Sequence, residues 1–258
     1  MMIKRSPFAR RLLSAVVLMS FAGAATVAHA DQLDDVRAAK KIRVAIDLGS
    51  PPFGTTDGAM KPTGSDVETA RLLAKDLGVE LEIVQTTGAN RIPFLQTGKA
   101  DIVISSLSVT PEREKVINFS APYAQIQAVV AGPKPIAIKS FADLAGKRVA
   151  TARGTTNDRL ATDGAKGAQI VRFDDDATLV TAIASGQVDI FATSPSIVNT
   201  VIGKAPALGI EIKFVMQSFP LGVGMRKGET KLQEWINAWV AKNNENGNLV
   251  KIFKRFHG

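Results

Sequence analysis

The stretch Asp101-Ile-Val-Ile-Ser-Ser-Leu-Ser-Val-Thr-Pro-Glu-Arg113 decides how the rest of the chain is interpreted. Its first four residues are typical of a buried strand. Its end predicts a helix start, with Thr110 as N-cap and Pro111 as first helical residue. Arg113 then falls in the first turn, where the helix dipole disfavours a cation. Three hydroxyl side chains lie between strand and helix: Ser105, Ser106 and Ser108.

Hydroxyls beside an arginine at a helix start are typical of an anion site, and a carboxylate is the simplest anion that a guanidinium binds. A solvated loop with a surface arginine is the alternative. A second anion-binding stretch follows later, where Gly154-Thr-Thr-Asn-Asp opens a helix and offers free backbone N–H groups from Thr155 and Thr156.

The first stretch has a counterpart in the second half of the chain. Gly98-Lys-Ala-Asp-Ile-Val-Ile-Ser-Ser-Leu-Ser108 matches Gly186-Gln-Val-Asp-Ile-Phe-Ala-Thr-Ser-Pro-Ser196 in its glycine, its aspartate, its apolar run and its hydroxyls. This internal repeat, which we call the echo, suggests two similar α/β lobes. Because ligands of open α/β sheets bind at the carboxyl ends of strands, two facing strand ends would form a cleft. Chance similarity of two ordinary strand exits is the alternative.

The first thirty residues form a predicted signal peptide. A charge-free apolar run over 12–27 precedes the small-residue cleavage site Ala28-His-Ala30, so the mature chain is expected to start at Asp31. The run is short for a membrane span, which needs about 20 residues. Export to a bacterial periplasm is expected, and a retained membrane anchor is the alternative. The basic residues of the leader are Lys4, Arg5, Arg10 and Arg11.

The composition excludes several classes of site. The chain has no cysteine and two histidines, of which His29 lies in the leader and His257 is the penultimate residue, where fraying is expected. Disulfides, thiolate zinc sites and histidine-based catalysis are therefore excluded, and neither a metal nor a cofactor is expected. Loss of the four leader cations lowers a formal net charge of +8 by four, which indicates no nucleic-acid partner.

Strand and helix patterns alternate along the chain, which predicts an α/β fold with mostly parallel sheets. The pattern restarts near residue 128, so we expect a first lobe formed by 31–127 plus 222–258 and a second lobe formed by 128–221. We also expect a capping box from Ser65 to Glu68, a helix over 177–185 capped by Asp176, and two strands over 212–216 and 221–225.

Several quoted stretches occur together and in order. They are Pro51-Pro-Phe53, Gly64-Ser-Asp-Val-Glu68, Gly98-Lys-Ala-Asp101, the stretch Ser105 to Arg113, Phe119-Ser-Ala-Pro-Tyr123, and Gly146-Lys-Arg-Val-Ala followed by Gly154-Thr-Thr156. Over nearly all of the mature chain, this set resembles the polar amino-acid-binding proteins of bacterial ABC importers, solute-binding protein family 3.

The resemblance implies a type II periplasmic binding protein fold, with two lobes, each a mostly parallel sheet flanked by helices, and two crossing hinge strands. It implies a monomer that closes around an amino acid or a related small carboxylate and delivers it to a membrane permease of an ABC importer.

The resemblance also implies roles for individual residues. Arg113 would pair with the ligand α-carboxylate, with help from Ser106 and Ser108. Thr156 and its backbone N–H would contribute from the second lobe. The remaining implied positions are an acidic one that meets polar side chains, Asp47, and the aromatic residue of the first loop, Phe53.

The chain departs from the family where the ligand ammonium is bound. Members usually carry an aspartate there, and this chain has Ser194, which brings no charge. Asp47 or Asp158 would have to replace it, or the ligand is not an ordinary α-amino acid. Ser50 and Gly88 replace larger residues, so a wider and less aromatic pocket is expected.

Two other functions remain open at this point. Some periplasmic prephenate/arogenate (cyclohexadienyl) dehydratases resemble this family and use a carboxylic acid in the cleft. That acid would here be Asp47, Asp158 or Glu112. The other alternative is a ligand-sensing partner of a receptor.

Overall fold

The computed structural model describes residues 31–258, so the predicted signal peptide lies outside the described residues. The strands are β1 (Lys41–Ile46), β2 (Thr55–Thr56), β3 (Pro62–Thr63), β4 (Glu80–Gln85), β5 (Ile102–Val103), β6 (Asn118–Phe119), β7 (Ala124–Pro133), β8 (Arg148–Ala152), β9 (Gln169–Phe173), β10 (Ile190–Thr193), β11 (Ile210–Leu221) and β12 (Gly224–Met225).

The α-helices are α1 (Gln32–Ala39), α2 (Ser65–Leu77), α3 (Arg91–Gln96), α4 (Pro111–Glu114), α5 (Thr156–Gly164), α6 (Asp176–Ala184), α7 (Pro195–Lys204), α8 (Thr230–Glu245) and α9 (Asn248–His257). Short 3₁₀-helices span Phe141–Leu144 and Pro206–Leu208. None of the helices in residues 31–258 is long and apolar enough to cross a membrane.

Two five-stranded sheets organise the molecule, and they have equivalent strand orders. The first runs β4-β1-β5-β12-β6 and the second β9-β8-β10-β7-β11. In each, three parallel strands form one side and antiparallel strands form the other. We call each sheet, with the helices packed on it, a lobe. The fold is the expected α/β type II architecture, and the echoed stretches form the central strands β5 and β10.

Strands β7 and β11 connect the two lobes. They pair antiparallel from Ala124 opposite Leu221 to Pro133 opposite Ile210. The beginning of β7, at Ala124, and the end of β11, at Leu221, pack against the core of the first lobe. Val129 and Ala131 of β7 lie in the core of the second. The expectation of two strands over 212–216 and 221–225 is wrong, because one long strand ends at Leu221 and β12 follows after a two-residue break.

Two helix starts differ from expectation by one residue. Gly64 is the N-cap of α2 with a φ of 122°, so Ser65 lies inside the helix and forms no capping box. At α6 the N-cap is Asp175, whose carboxylate accepts from the backbone N–H of Thr178 at 2.8 Å. Asp176 is thus the first helical residue, and its carboxylate is not used by the cap.

The carboxyl-terminal helix α9 is fixed rather than frayed at His257. The imidazole stacks on Phe253 with ring centroids 4.0 Å apart and lies 4.4 Å from the ring of Phe53. Its Nε2 is 2.9 Å from the Ser65 hydroxyl in the first lobe, and its Nδ1 is 2.7 Å from the Ser196 hydroxyl in the second. The histidine side chain therefore bridges the two lobes.

Candidate ligand-binding site

The carboxyl ends of the central strands face each other across a small cavity of about 30 Å³ between the lobes. This volume is well below the range of about 300–1,000 Å³ that is typical of small-molecule sites. The lobes therefore enclose the cavity tightly. Its lining consists of Ser50, Phe53, Arg91, Ser106, Ser108, Ile126, Gln127, Ala128, Thr155, Thr156, Asn157, Asp176, Thr193 and Ser194.

Hydrogen bonds and one ion pair join the lobes around this cavity. The N–H of Ala177 donates to the carbonyl of Gly49 at 2.7 Å. The hydroxyls of Ser108 and Thr156 lie 3.3 Å apart. At the rim, the Arg159 guanidinium pairs with the Glu112 carboxylate at 2.7 Å.

Three glycines permit this close approach. A Cβ atom on Gly49 would lie 2.6 Å from the Asp175 carboxylate, one on Gly88 would lie 2.7 Å from the Arg153 carbonyl oxygen, and one on Gly154 would lie 2.7 Å from the Ala89 backbone. Each pair spans the two lobes. The expectation that small residues widen the pocket is therefore wrong for this arrangement. The two lobes lie close together in the space that larger side chains would occupy.

Two arginines of the first lobe meet at one carbonyl of the second. The Nη2 atoms of Arg91 and Arg113 each donate to the Gly154 carbonyl at 3.4 Å. Burial, followed by repulsion from Arg91 and Arg159, lowers the pKa of Arg113 to about 9. Within residues 31–258, no carboxylate lies within 4 Å of either guanidinium, although Glu112 favours the charged form of Arg113 from a greater distance.

The two guanidiniums have different surroundings. Arg91 is almost fully buried, lines the cavity and donates to the carbonyls of Gly88 and Ser105. Arg113 is partly exposed, donates to the Ser108 carbonyl at 2.9 Å and lines a neighbouring, more open pocket of about 380 Å³. Thr155 and Thr156 line both spaces, whereas Arg113 lines only the second.

Of the other candidate residues, Ser106 and Phe53 line the same cavity, whereas Ser105 and Asp47 do not. Ser106 lines it with a left-handed backbone, at a φ of 41°. Phe53 lines it from the first-lobe core. Ser105 is turned away from the cavity, because its hydroxyl accepts from the N–H of Asp47 at 3.0 Å. The carboxylate of Asp47 accepts from the N–H of Gly49, and burial raises its pKa.

Two carboxylates considered for charge replacement or catalysis are already paired. Asp158 accepts from the Arg172 guanidinium at 2.8 Å and from the N–H of Gly154 at 3.0 Å. Glu112 is exposed in its ion pair with Arg159. Among residues 31–258, no group of three or more acidic or histidine side chains is placed to hold a metal ion.

A different carboxylate lines the cavity. Asp176 Oδ2 accepts from the Ser50 hydroxyl at 2.6 Å across the lobe boundary. Burial raises the pKa of Asp176 to about 6. Its Oδ1 is buried without a hydrogen-bond partner within residues 31–258, as are the hydroxyls of Thr193 and Ser194.

Sequence reasoning named neither Arg91 nor Asp176 as a site residue, although one signal was present. Arg91 is the first residue of α3, so it is a cation at a helix start, the feature that singled out Arg113. Asp176 is the expected helix cap from the sequence, because three consecutive aspartates stand around the helix start and the sequence does not show which one caps it.

Comparison with known proteins gives a consistent result. A family model for bacterial extracellular solute-binding proteins, family 3, matches residues 42–258. ABC transporter arginine-binding protein 1 of Escherichia coli (strain K12) is 30% identical, with 94% of this chain and 97% of that protein covered. The L-cystine-binding protein TcyJ of the same strain is 27% identical, with 99% and 98% covered.

Solved structures agree with these relatives. The ancestral amino acid-binding protein AncCDT-1, a precursor of cyclohexadienyl dehydratase, is 33% identical, with a TM-score of 0.80 over 88% of this chain and 99% of that one. The two relatives from Escherichia coli are named as binding proteins rather than enzymes. The chain belongs to the bacterial extracellular solute-binding proteins, family 3.

Proposed function

We propose that this protein captures an amino acid, or a related small carboxylate, in the cavity between its lobes and delivers it to the permease of an ABC importer. The named relatives bind arginine and L-cystine, which are both amino acids. The ligand contacts described below are those of this chain.

The observation that carries the proposal is that Arg91 and Arg113 converge on the Gly154 carbonyl and that, within residues 31–258, neither has a carboxylate within 4 Å. Two neighbouring cations repel each other, and an anion between them removes that repulsion. A carboxylate bound by Arg113 would also reach the hydroxyls of Ser106, Ser108 and Thr156. A guanidinium suits this role because its fork matches two carboxylate oxygens.

We propose that the two lobes, 31–127 plus 222–258 and 128–221, separate to admit the ligand and close on it. The bridging strands β7 and β11 are the hinge in this proposal, because they are continuous backbone between the two cores. Closure excludes water from the cavity and presents one defined surface to the permease.

The proposal also covers the cellular location, the oligomeric state and the protein partner. Family membership supports a location outside the cytoplasm. We propose a periplasmic monomer, exported by the signal peptide over residues 1–30, and a membrane permease as its protein partner.

A thermal-shift assay tests the function. Mature protein, unfolded and refolded to remove bound ligand, is mixed with the twenty amino acids, L-cystine, opine-like derivatives and small dicarboxylates. A ligand at 100 times its Kd adds about 2.7 kcal/mol of stability, which gives a clear shift. We expect an amino acid to shift wild-type protein. If no compound in the panel does so, the proposal is wrong.

Two variants locate the carboxylate site. Arg113→Ala should lose the shift, because a carboxylate would remain buried without its ion pair. Arg153→Ala is the matched control, since Arg153 is an exposed arginine near the same boundary whose pair with Asp174 is 3.9 Å long. It should retain the shift.

A further inference from the structure

The cap of α6 does not explain the burial of the Asp176 carboxylate. The preceding residue, Asp175, caps α6 and receives the Thr178 N–H. One oxygen of Asp176 accepts from Ser50, and the other lies buried at the cavity without a partner in the described part of the chain. A buried acceptor in this condition is costly, and such groups recur where a ligand completes the hydrogen bonding.

The surroundings of Asp176 offer little compensation for its negative charge. Burial is the main cause that raises its pKa, and the neighbouring carboxylates Asp47 and Asp175 raise it further. The Ser50 hydroxyl and the Arg91 guanidinium act in the opposite direction. Arg91, however, makes its three hydrogen bonds in the described part of the chain to the backbone carbonyls of Gly88, Ser105 and Gly154. A cation in the cavity would supply the missing partner.

The strand end of the second lobe supplies hydroxyls but no charge. Ser194 stands at the N-cap position of α7, yet its hydroxyl makes no capping bond and, like that of Thr193, has no hydrogen-bond partner within residues 31–258. Both side chains line the cavity together with Asp176. The lining therefore combines one carboxylate with two free hydroxyl groups.

We propose that Asp176, oriented by Ser50, binds a protonated nitrogen of the ligand and replaces the carboxylate that position 194 lacks. This inference rests on the proposed function and narrows the ligand class to carboxylates that also carry an ammonium or other cationic nitrogen. Thr193 and Ser194 accept further hydrogen bonds from the same nitrogen.

The position of Asp176 also links ligand charge to closure. Ser50 belongs to the first lobe and Asp176 to the second, so their hydrogen bond forms only when the lobes meet. A ligand cation that stabilises the ionised carboxylate within the closed cavity has a higher affinity for that state, and it shifts the population toward closure.

Calorimetric titration at pH 7.5 tests the inference. The strongest amino-acid hit from the panel and its 2-hydroxy acid analogue, which lacks the amine, are titrated into wild-type, Asp176→Asn and Asp175→Asn proteins. Asp176→Asn should bind the amino acid at least 30-fold more weakly and lose most of its preference over the 2-hydroxy acid. Asp175→Asn makes the same chemical change one residue away, retains a good cap, and should stay within threefold of wild type.

The pH dependence of amino-acid affinity distinguishes a role for the charge of Asp176 from a purely structural role. Amino-acid affinity of the wild-type protein should fall by up to tenfold per pH unit below about 6, as Asp176 becomes protonated. The charged groups that face Asp176 are present in both the wild-type and the Asp176→Asn protein: Asp47, Asp175 and Arg91. The pH profile of Asp176→Asn therefore reports the contribution of these groups, and it should be flatter than the wild-type profile.

The outcomes are distinct. Equal amino-acid affinity in wild-type and Asp176→Asn proteins, or a ligand that carries no cationic nitrogen, overturns the role of Asp176 and leaves the binding function standing. A wild-type protein that binds nothing in the panel overturns both. A selective loss in Asp176→Asn, with a flattened pH profile, supports the inference.

Discussion

The two lobes of this protein present equivalent strand ends that are satisfied in opposite ways. In the first lobe, Asp101 at the start of β5 is buried and accepts from Gln32 and Arg43, and the Ser105 hydroxyl at the other end binds the Asp47 backbone. In the second lobe, the matching Asp189 is exposed, and the hydroxyl of Thr193 has no partner in the described chain.

The difference shows that similar local sequence served two purposes. The strand end of the first lobe is fixed by its own hydrogen bonds and holds the arginine side of the cavity in place. The second presents hydrogen-bonding groups at the cavity that have no partner within residues 31–258. Rigidity and binding capacity are thus divided between the lobes. The following changes test that division, from the largest expected effect to the smallest.

Replacement of the two aspartates of the echo, Asp101 and Asp189, by asparagine should change the free energy of unfolding by different amounts. Asp101→Asn should lower the free energy of unfolding by about 3 kcal/mol, because it removes the buried charge that pairs with Arg43 and replaces one of the two acceptor oxygens by an NH2 group. Asp189→Asn should change it by less than about 0.5 kcal/mol, since its side chain is exposed. Urea denaturation measures both, and equal effects would contradict the comparison.

The hydroxyls at the carboxyl ends of the strands should also differ. Ser105→Ala should destabilise the protein by about 1–3 kcal/mol, because the buried N–H of Asp47 loses its acceptor. Thr193→Val keeps the side-chain shape and removes a hydroxyl that has no partner, so unliganded protein should be as stable as wild type or more stable. Thermal unfolding without ligand is the measurement. A Thr193→Val protein as unstable as Ser105→Ala would show that both hydroxyls are structural.

The close approach of the lobes can be blocked at one atom. Gly88→Ala should weaken ligand binding at least tenfold, about 1.4 kcal/mol, because its Cβ would meet the Arg153 carbonyl at 2.7 Å in the closed arrangement. Gly58→Ala is the control, since that glycine has open space around it in the same lobe. Titration with the panel hit measures both variants, and unchanged affinity of Gly88→Ala would contradict closure to this spacing.

The last expected effect develops only as pH falls, and it concerns the contacts of His257 with both lobes. Burial lowers the pKa of His257 to about 4, below its ordinary value near 6.5, so the folded protein favours the neutral ring. This contribution to stability is complete above pH 6.5 and is lost as pH falls toward 4. The side chains that pack against the ring, Phe53 and Phe253, and those that hydrogen-bond to it, Ser65 and Ser196, carry no charge.

Denaturation of wild-type and His257→Gln proteins at pH 7.5 and pH 4.5 checks this expectation. Wild type should lose more stability over that interval than the variant, which has no titrating group at this position. Parallel losses would show that the imidazole is not protected from protonation in the folded state.

Much of the architecture followed from local sequence patterns. Thr110 and Pro111 marked the start of α4, Thr155 marked the start of α5, and the echo placed β5 and β10 in equivalent positions. These features depend on residues that are neighbours in the chain, so turn chemistry and hydrophobic periodicity are sufficient to reveal them. Helix α7 was missed, since the Pro195 that begins it also fits a loop.

The site was predictable only in part. The hydroxyls of Ser106, Ser108 and Thr156 and the ring of Phe53 were expected at the cavity and line it. Arg91 and Asp176 were not expected there. Their place depends on how two lobes meet, and the sequence does not encode that contact in any local spacing.

The sequence by itself determined the two similar strand ends and the hydroxyl and arginine residues that follow the first of them, because each of these arises from a short run of residues. Only the tertiary structure decided which charges face the cavity. Ser50 and Asp176 are 126 residues apart, and their hydrogen bond exists because Gly49, Gly88 and Gly154 let two separately folded sheets approach to within van der Waals contact. A charge acquires its binding role from the burial and the partners that such an approach creates.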